Sequence, residues 1–367
     1  MKYRPFGNTK KDVSVVGFGG MRFKAEEYES GDYTVCASLV LRAHELGINY
    51  FDTAPDYCDG QSELIFGTAF KELDRSTFYV STKCGLWNAT TTSGARKMIE
   101  QSLKKMDLEY IDFYNMWSIK TMDDYKEFMK KGGVYEAAVQ AKEEGLIKHI
   151  CFSTHLSGEE IASIAHDGVF EAVTLGYNAL NFSFRQKGID ACHKAGLGIV
   201  TMNPLGGGII PSYPEYFSFL QTDDDSLAVS ALKFIISQNK ATVALTGISS
   251  IEELEENVLA GENIKEASPS LLEELSSHLS TELNSLCTTC AYCDSCPEQI
   301  PIPHLLDSYN LYLLSKGDSK QMFQRMANHW NVDPSWASHC TRCGQCESLC
   351  TQKLPIIERL ETIASYL

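Results

Sequence analysis

The sequence predicts an α/β protein: a (β/α)8 barrel over residues 1–265, followed by a small, mainly helical, cysteine-rich domain over residues 266–367. Three observations carry this reading. Between Val13 and about Gly261, eight short apolar, β-branched runs alternate with longer segments of helical period, the signature of repeated βα units around a parallel sheet. Past residue 265 the alternation stops, and eight of the 13 cysteines crowd into two short clusters. The chain's 367 residues leave room for one barrel of about 250 residues and one small addition.

In chain order, Lys2 to Val15, with Gly7-Asn8 at its centre, reads as a hairpin that plugs the barrel floor. The barrel strands are Val13–Phe18, Asn49–Thr53, Phe78–Lys83, Tyr110–Trp117, His149–Ser153, Ala172–Asn178, Gly198–Asn203 and Thr242–Gly247. Their near-continuous apolar runs suit parallel strands buried on both faces. Helices are expected at Glu63–Leu73, Ala95–Met106, Val134–Glu144, Glu159–His166, Gln186–Ala195, Ser226–Ser237 and Ile251–Leu259. Gly206-Gly207-Gly208 gives backbone freedom to the loop after the seventh strand. Ser268–Leu283 reads as an amphipathic helix leading into the first cysteine cluster. Ile302–Ser315 and Lys320–Ala327 read as helices between the clusters, with Pro301 and Pro303 marking entry to the first.

Composition narrows the function. A net charge of −16 repels phosphate backbones and anionic membranes, so nucleic acid is an unfavourable partner. No apolar run approaches the roughly 20 residues that span a bilayer, and the N-terminus lacks the pattern of a secretory signal. A cytoplasmic location is expected, where thiols stay reduced and a disulfide framework is excluded.

The cysteines therefore read as ligands. Cys340, Cys343, Cys346 and Cys350 are spaced by three, three and four, the bacterial ferredoxin spacing for a [4Fe-4S] cluster. Cys287, Cys290, Cys293 and Cys296 are spaced by three throughout and end in Cys-Pro. The fourth cysteine of such a run ligates the other cube. That rule groups Cys287, Cys290, Cys293 and Cys350 on one cluster, and Cys340, Cys343, Cys346 and Cys296 on the other. The alternative is a pair of structural zinc sites, but zinc ligands are usually drawn two by two from separate loops. Two clusters argue for one-electron traffic, and their spacing cannot set their potentials.

In a (β/α)8 barrel, chemistry gathers at the C-terminal strand ends. Phe51-Asp52-Thr53-Ala54-Pro55-Asp56-Tyr57 closes the second strand and Ser81-Thr82-Lys83 the third, so Asp52 and Lys83 can pair beside Tyr57. A cation there is expected to lower the phenol's pKa from its usual value of about 10 and make Tyr57 a general acid.

At these residues, and at Val16-Gly17-Phe18-Gly19-Gly20-Met21 and Tyr110-Ile111-Asp112-Phe113-Tyr114, the chain resembles the aldo-keto reductases over the whole barrel. With its tail it resembles the subgroup that carries a C-terminal ferredoxin-like 4Fe-4S domain. The resemblance implies an oxidoreductase in which Tyr57 donates a proton, tuned by Asp52 and Lys83. The family's catalytic histidine is absent: the fourth strand ends Asn115-Met116-Trp117-Ser118, and Trp117 can donate a hydrogen bond but cannot act as acid or base. Trp117 is a candidate to stack on a ring substrate or to fill space, and His155 to replace the missing imidazole. Reduction of a conjugated double bond thereby stands beside carbonyl reduction.

The resemblance also points to Ser153, Thr174, Met202, Ser249 and Asn257 as contacts for NAD or NADP, although Thr174 and Met202 replace the family's glutamine and tyrosine. Glu253 falls where an arginine holds the 2′-phosphate in many members, which leaves NAD at least as well suited as NADP. The expected function is the reduction or oxidation of a small carbonyl or conjugated substrate, aromatic compounds among the candidates, with electrons passing through two [4Fe-4S] clusters and a ferredoxin-type protein as a candidate donor. The competing class is a non-catalytic electron-transfer or redox-sensing protein with a decayed site.

Overall fold

The computed structural model describes residues 1–221, 225–265, 273, 285–287, 289, 292–350 and 352–367. Their contacts form two compact units, one of Met1–Leu205 with Ile210–Ser268 and the other of Gly206–Ile209 with Pro269–Leu367. Apart from residue 273, the expected helix Ser268–Leu283 lies outside the described residues, as does Cys290.

The first unit is a (β/α)8 barrel. A two-stranded hairpin, β1 (Tyr3–Pro5) and β2 (Asp12–Ser14), precedes eight parallel strands: β3 (Val16–Gly19), β4 (Tyr50–Asp52), β5 (Tyr79–Cys84), β6 (Ile111–Ile119), β7 (Ile147–Thr154), β8 (Ala172–Gly176), β9 (Gly198–Met202) and β10 (Val243–Gly247). They close in sequence order, with β10 beside β3. The helices confirm the periodic reading, for example Thr92–Met106, Val134–Glu143 and Leu227–Ser237. Two more, Thr34–Glu45 and Met122–Met129, complete the ring; Thr121 and Asp124 cap the second reciprocally.

The hairpin keeps the Lys2–Val15 span expected of it, and it is the first barrel strand that starts later than the expected Val13. Val13 and Ser14 pair with Arg4 and Tyr3, and the first barrel strand begins only at Val16. The reason is the continuation of the hairpin, where the Val15 N–H donates to the Lys2 carbonyl at 3.0 Å. Its connection is a helical turn at Gly7–Thr9 rather than a tight pair.

Phe6 drives this plug. It is fully buried, packs edge-on to Phe113 at 4.7 Å, and shares an apolar layer with Val13, Tyr50, Cys151, Ala172, Val200 and Val243. Gly7 has φ +53°, and a Cβ there would lie 2.3 Å from the Gly198 nitrogen, so only glycine lets the turn seat against β9.

In the second unit, Ile302–Leu314, Ser319–Arg325, Gln345–Leu349 and Ile356–Ala364 are helical. They pack an apolar core of Ile300, Leu305, Met322, Met326, Ile356, Leu360 and Ile363. Buried Asp307 pins two elements by accepting from Arg325 Nε at 2.8 Å and Trp330 Nε1 at 2.7 Å. No described helix is long and apolar enough to cross a membrane.

Phe6→Ala empties the barrel floor. It is expected to lower unfolding free energy by about 3–5 kcal/mol, read as a shift of the urea midpoint with an unchanged slope.

Candidate active site and cysteine recess

Strand register delivers the polar residues of the barrel mouth. β4 pairs Asp52 with Ser81 of β5, and β5 pairs Lys83 with Asn115 of β6. The Lys83 ammonium donates to Asp52 Oδ1 at 2.6 Å and to the Tyr57 hydroxyl oxygen at 3.0 Å. Lys83 is 4 % and Asp52 2 % exposed, so the pair is almost wholly desolvated. Ser81 donates to the second Asp52 oxygen at 2.8 Å, and Asn115 Nδ2 donates to Ser81 at 3.0 Å. Asn115 was not singled out from the sequence; a buried amide inside a barrel strand is the signal that could have found it.

Burial by itself favours the neutral amine of Lys83. Asp52 first, and the Tyr57 phenol next, overcome it and hold the ammonium with a pKa above its ordinary value. Tyr57 corrects the sequence expectation. Burial raises its pKa and outweighs the opposing charge of Lys83, so the net shift is upward. The phenol stays protonated through neutrality, which makes it a proton reservoir and not a ready phenolate.

Trp117 stands where the register of β6 against β7 shifts between Met116 and Ile119, and the next residue, Ser118, has φ +62°. Such a bulge re-aims a side chain. The Trp117 ring meets Tyr57 edge-on at 5.5 Å, with Lys83 Nζ 5.7 Å from its centroid. Trp87 lies 4.6 Å from Trp117, is 56 % exposed, and is tethered by Nε1 to Asp56 Oδ2 at 2.7 Å. Tyr57, Trp117 and Trp87 thus form an aromatic wall.

His155 follows β7; its N–H donates to the Ile119 carbonyl at 3.3 Å and its carbonyl accepts from Arg185 Nη2 at 3.1 Å. Burial first, then the charges of Arg185 and Lys120, hold its imidazole well below the ordinary pKa and therefore neutral.

Of the expected nucleotide contacts, Ser153 and Thr174 are register partners on β7 and β8, both buried, and Met202 ends β9 opposite Gly176. The Ser153 hydroxyl accepts from the Ser118 N–H at 3.4 Å. Asn257 is buried in the helix Ile251–Val258. At the start of that helix the Glu253 carboxylate accepts from both the N–H and the hydroxyl of Ser249 at 2.8 Å. A side-chain anion therefore occupies donors at a helix N-terminus, a place suited to phosphate.

In the second unit, Cys296, Cys340, Cys343 and Cys346 line one recess with Pro297, Ile300 and Gly344. Cys343 is exposed, while Cys346 is buried and its thiol is pushed up to about 11, chiefly by burial. Cys287, Cys293 and Cys350 are buried in the tail's core. Buried Asn310 fixes the Cys287 backbone from both sides, accepting from its N–H at 2.7 Å and donating to its carbonyl at 2.8 Å. Among the described residues, no disulfide joins any two of the 12 cysteines. Among the described residues, no group of three or more His, Cys, Asp or Glu closes on a single metal ion. A cubane has a different requirement, because its thiolates bind four separate irons instead of converging on one ion as zinc ligands do at about 2.3 Å.

A family model described as the aldo/keto reductase family matches residues 15–278 and ends before the first cysteine cluster. The NADH-specific methylglyoxal reductase of Escherichia coli strain K12 is 24 % identical over 328 residues, covering 76 % of this chain and 99 % of that protein. The L-galactose dehydrogenase of Arabidopsis thaliana is 26 % identical over 299 residues, covering 71 % and 88 %. Among solved structures, a holo aldo-keto reductase from Bacillus halodurans superposes with a TM-score of 0.64 at 22 % identity, covering 76 % of this chain and 96 % of that one. One from Klebsiella pneumoniae, in complex with NADPH, gives 0.63 at 18 %, covering 76 % and 95 %. These structural likenesses establish the shared fold.

Asp52→Asn leaves the Lys83 ammonium buried without its anion and is expected to destabilise the barrel by about 3–5 kcal/mol in urea unfolding. Because the folded pKa of Lys83 is raised, the pair's stabilisation is full below the ordinary value of about 10.4 and fades as pH climbs through the folded value. The difference between wild type and variant should therefore hold through neutrality and shrink only in strong alkali.

Proposed function

Because this chain belongs to the aldo/keto reductase family, and is on that ground an oxidoreductase, we propose that it reduces flat conjugated or aromatic carbonyl compounds and couples this barrel chemistry to iron–sulfur clusters in its tail. The observation that carries the reading is the contact of Lys83 with both Asp52 and Tyr57. Lys83 donates to the phenol oxygen, so the phenol's own proton is free to point into the mouth. Tyr57 passes that proton to the substrate oxygen, or to the carbon of an enolate, and Lys83 stabilises the phenolate left behind.

Nicotinamide, when bound, supplies the hydride. Ser153, Thr174 and Met202 are the residues proposed to line its ring, with Ser249 and Asn257 on the adenosine side. Glu253 favours NADH, since its carboxylate repels a 2′-phosphate and already uses the donors of Ser249. Trp117 and Trp87 favour a flat substrate, because their ring faces offer apolar contact while the Trp87 N–H is already held by Asp56. Neutral His155 shapes the pocket as a hydrogen-bonding group.

The clusters, when bound, hold and pass single electrons. The donor set fits them: Cys296, Cys340, Cys343 and Cys346 share one recess, and the ferredoxin-type spacing assigns Cys350 with Cys287, Cys290 and Cys293 to the other. Exposed Cys343 suits exchange with a ferredoxin-type partner in the cytoplasm. A second reading, electron transfer or redox sensing through a barrel that no longer turns over substrate, is favoured by the carboxylate of Glu253 on Ser249 and by Trp117 in place of histidine.

The test is an anaerobic titration of iron-replete protein with NADH and then NADPH, following visible bleaching and the reduced-cluster paramagnetic signal. Reduction by NADH at lower concentration than NADPH is expected. Reduction by dithionite alone would favour the second reading. In steady-state assays, kcat/KM should be higher for cinnamaldehyde than for methylglyoxal, and Tyr57→Phe should lose about 10²–10⁴-fold in kcat with the clusters intact.

A further inference from the structure

We infer that Asp56 is a positioning residue: its carboxylate latches Trp87 over the barrel mouth, and the latched ring sets a preference for carbonyls conjugated to a ring over aliphatic ones. This rests on the reading above that the barrel reduces flat conjugated or aromatic carbonyls.

Trp87 is exposed, so folding gains little from where its indole lies, yet that place is fixed from several sides. Its Nε1–H donates to Asp56 Oδ2 at 2.7 Å. Its six-membered ring lies over Gly85, where an added Cβ would stand 2.6 Å from ring atoms Cη2, Cζ2 and Cζ3. Only the bare Cα of glycine lets the indole fold back over the end of β5. On the mouth side, the ring centroid is 4.6 Å from that of Trp117 at an angle of 57°.

Asp56 is exposed and directly precedes Tyr57, so its hydrogen bond ties the loop that carries the proton donor to the loop after β5. The same carboxylate oxygen accepts from Asn88 Nδ2 at 2.9 Å. Asn88 has its own anchors: Oδ1 accepts from the Gly85 N–H at 3.0 Å, and the Asn88 N–H donates to the Gly85 carbonyl at 2.9 Å. The turn therefore closes without Asp56, and what the carboxylate adds is the orientation of the indole. A bond to a charged acceptor is stronger than one between neutral groups, which suits it to hold an exposed ring still.

From Tyr57 the wall runs through Trp117, at 5.5 Å, to Trp87. A carbonyl oxygen at the Tyr57 hydroxyl leaves a conjugated ring to lie along that wall. An aliphatic carbonyl reaches Tyr57 and Lys83 without using Trp87. A ring fixed beforehand spares the substrate the cost of ordering it, so the latch acts on KM for ring substrates more than on kcat.

The test uses the full chain in two measurements. The first needs no substrate: fluorine resonance of protein labelled with 5-fluorotryptophan, in which the signal missing from Trp87→Phe identifies Trp87. Asp56→Ala should shift or broaden that signal, and Asp56→Asn, whose amide oxygen still accepts, should restore it. The second is steady-state kinetics with NADH. Asp56→Ala should lower the kcat/KM preference for cinnamaldehyde over methylglyoxal about tenfold, chiefly through the cinnamaldehyde KM, and Asp56→Asn should recover it. Adding Asp56→Ala to Trp87→Ala should cost no further preference, because both changes remove one device. An unmoved Trp87 signal in Asp56→Ala, or a moved signal with the preference intact, would overturn the inference. Loss of kcat for both aldehydes alike would assign Asp56 to Tyr57 or to the fold and overturn it too. A wild type that reduces neither aldehyde would defeat the underlying reading, and the inference with it, whatever the fluorine spectrum shows.

Discussion

A charge removed from water must be answered by another, and both units of this protein are arranged around that constraint. In the barrel the buried charge is Lys83, answered by Asp52 at 2.6 Å. The rest of the mouth follows from keeping that pair in place. Ser81 occupies the second Asp52 oxygen, Asn115 orients Ser81, and the parallel register of β4, β5 and β6 brings all four together. Tyr57 receives the remaining hydrogen bond from Lys83, and burial keeps its proton on. In the proposed reaction that retained proton is the one Tyr57 would give to the substrate.

In the tail the buried charge is Asp307, answered by Arg325 at 2.8 Å and by the Trp330 N–H at 2.7 Å. Asn310 holds the Cys287 peptide from both directions, so a buried amide does for this loop what Asn115 does for the barrel pair. The two units divide the proposed work by chemistry. In that proposal the barrel would handle a proton and a hydride through fixed donors, and the tail would handle single electrons through its thiols.

Much of this was legible in the sequence because it depends on pattern. Eight apolar runs of β-branched residues fixed the barrel and its strand order, and Asp52, Lys83 and Tyr57 were visible because strand ends are where a barrel exposes chemistry. The cysteine spacing was equally local. What escaped depends on three-dimensional balance. The sign of the Tyr57 shift is a contest between burial and a neighbouring cation, which residue types alone cannot decide. The bulge that presents Trp117 is a register event between two strands, and the grip of Glu253 on Ser249 is a choice among partners at a helix start. The start of the first barrel strand was placed three residues early, because Val13 to Phe18 reads as one run although Val13 and Ser14 pair within the hairpin.

The family match ends at residue 278, so the barrel's chemistry rests on kinship and the tail's rests on its own residues. The most direct measurement is therefore the metal itself: iron and acid-labile sulfide content, with a Mössbauer spectrum, of the full chain reconstituted anaerobically with iron-57. About eight irons and eight sulfides per chain, in the signal of diamagnetic [4Fe-4S] clusters, are expected. Stoichiometric zinc that iron cannot displace, or iron bound without sulfide, would contradict the coupling of this barrel to an electron-carrying tail.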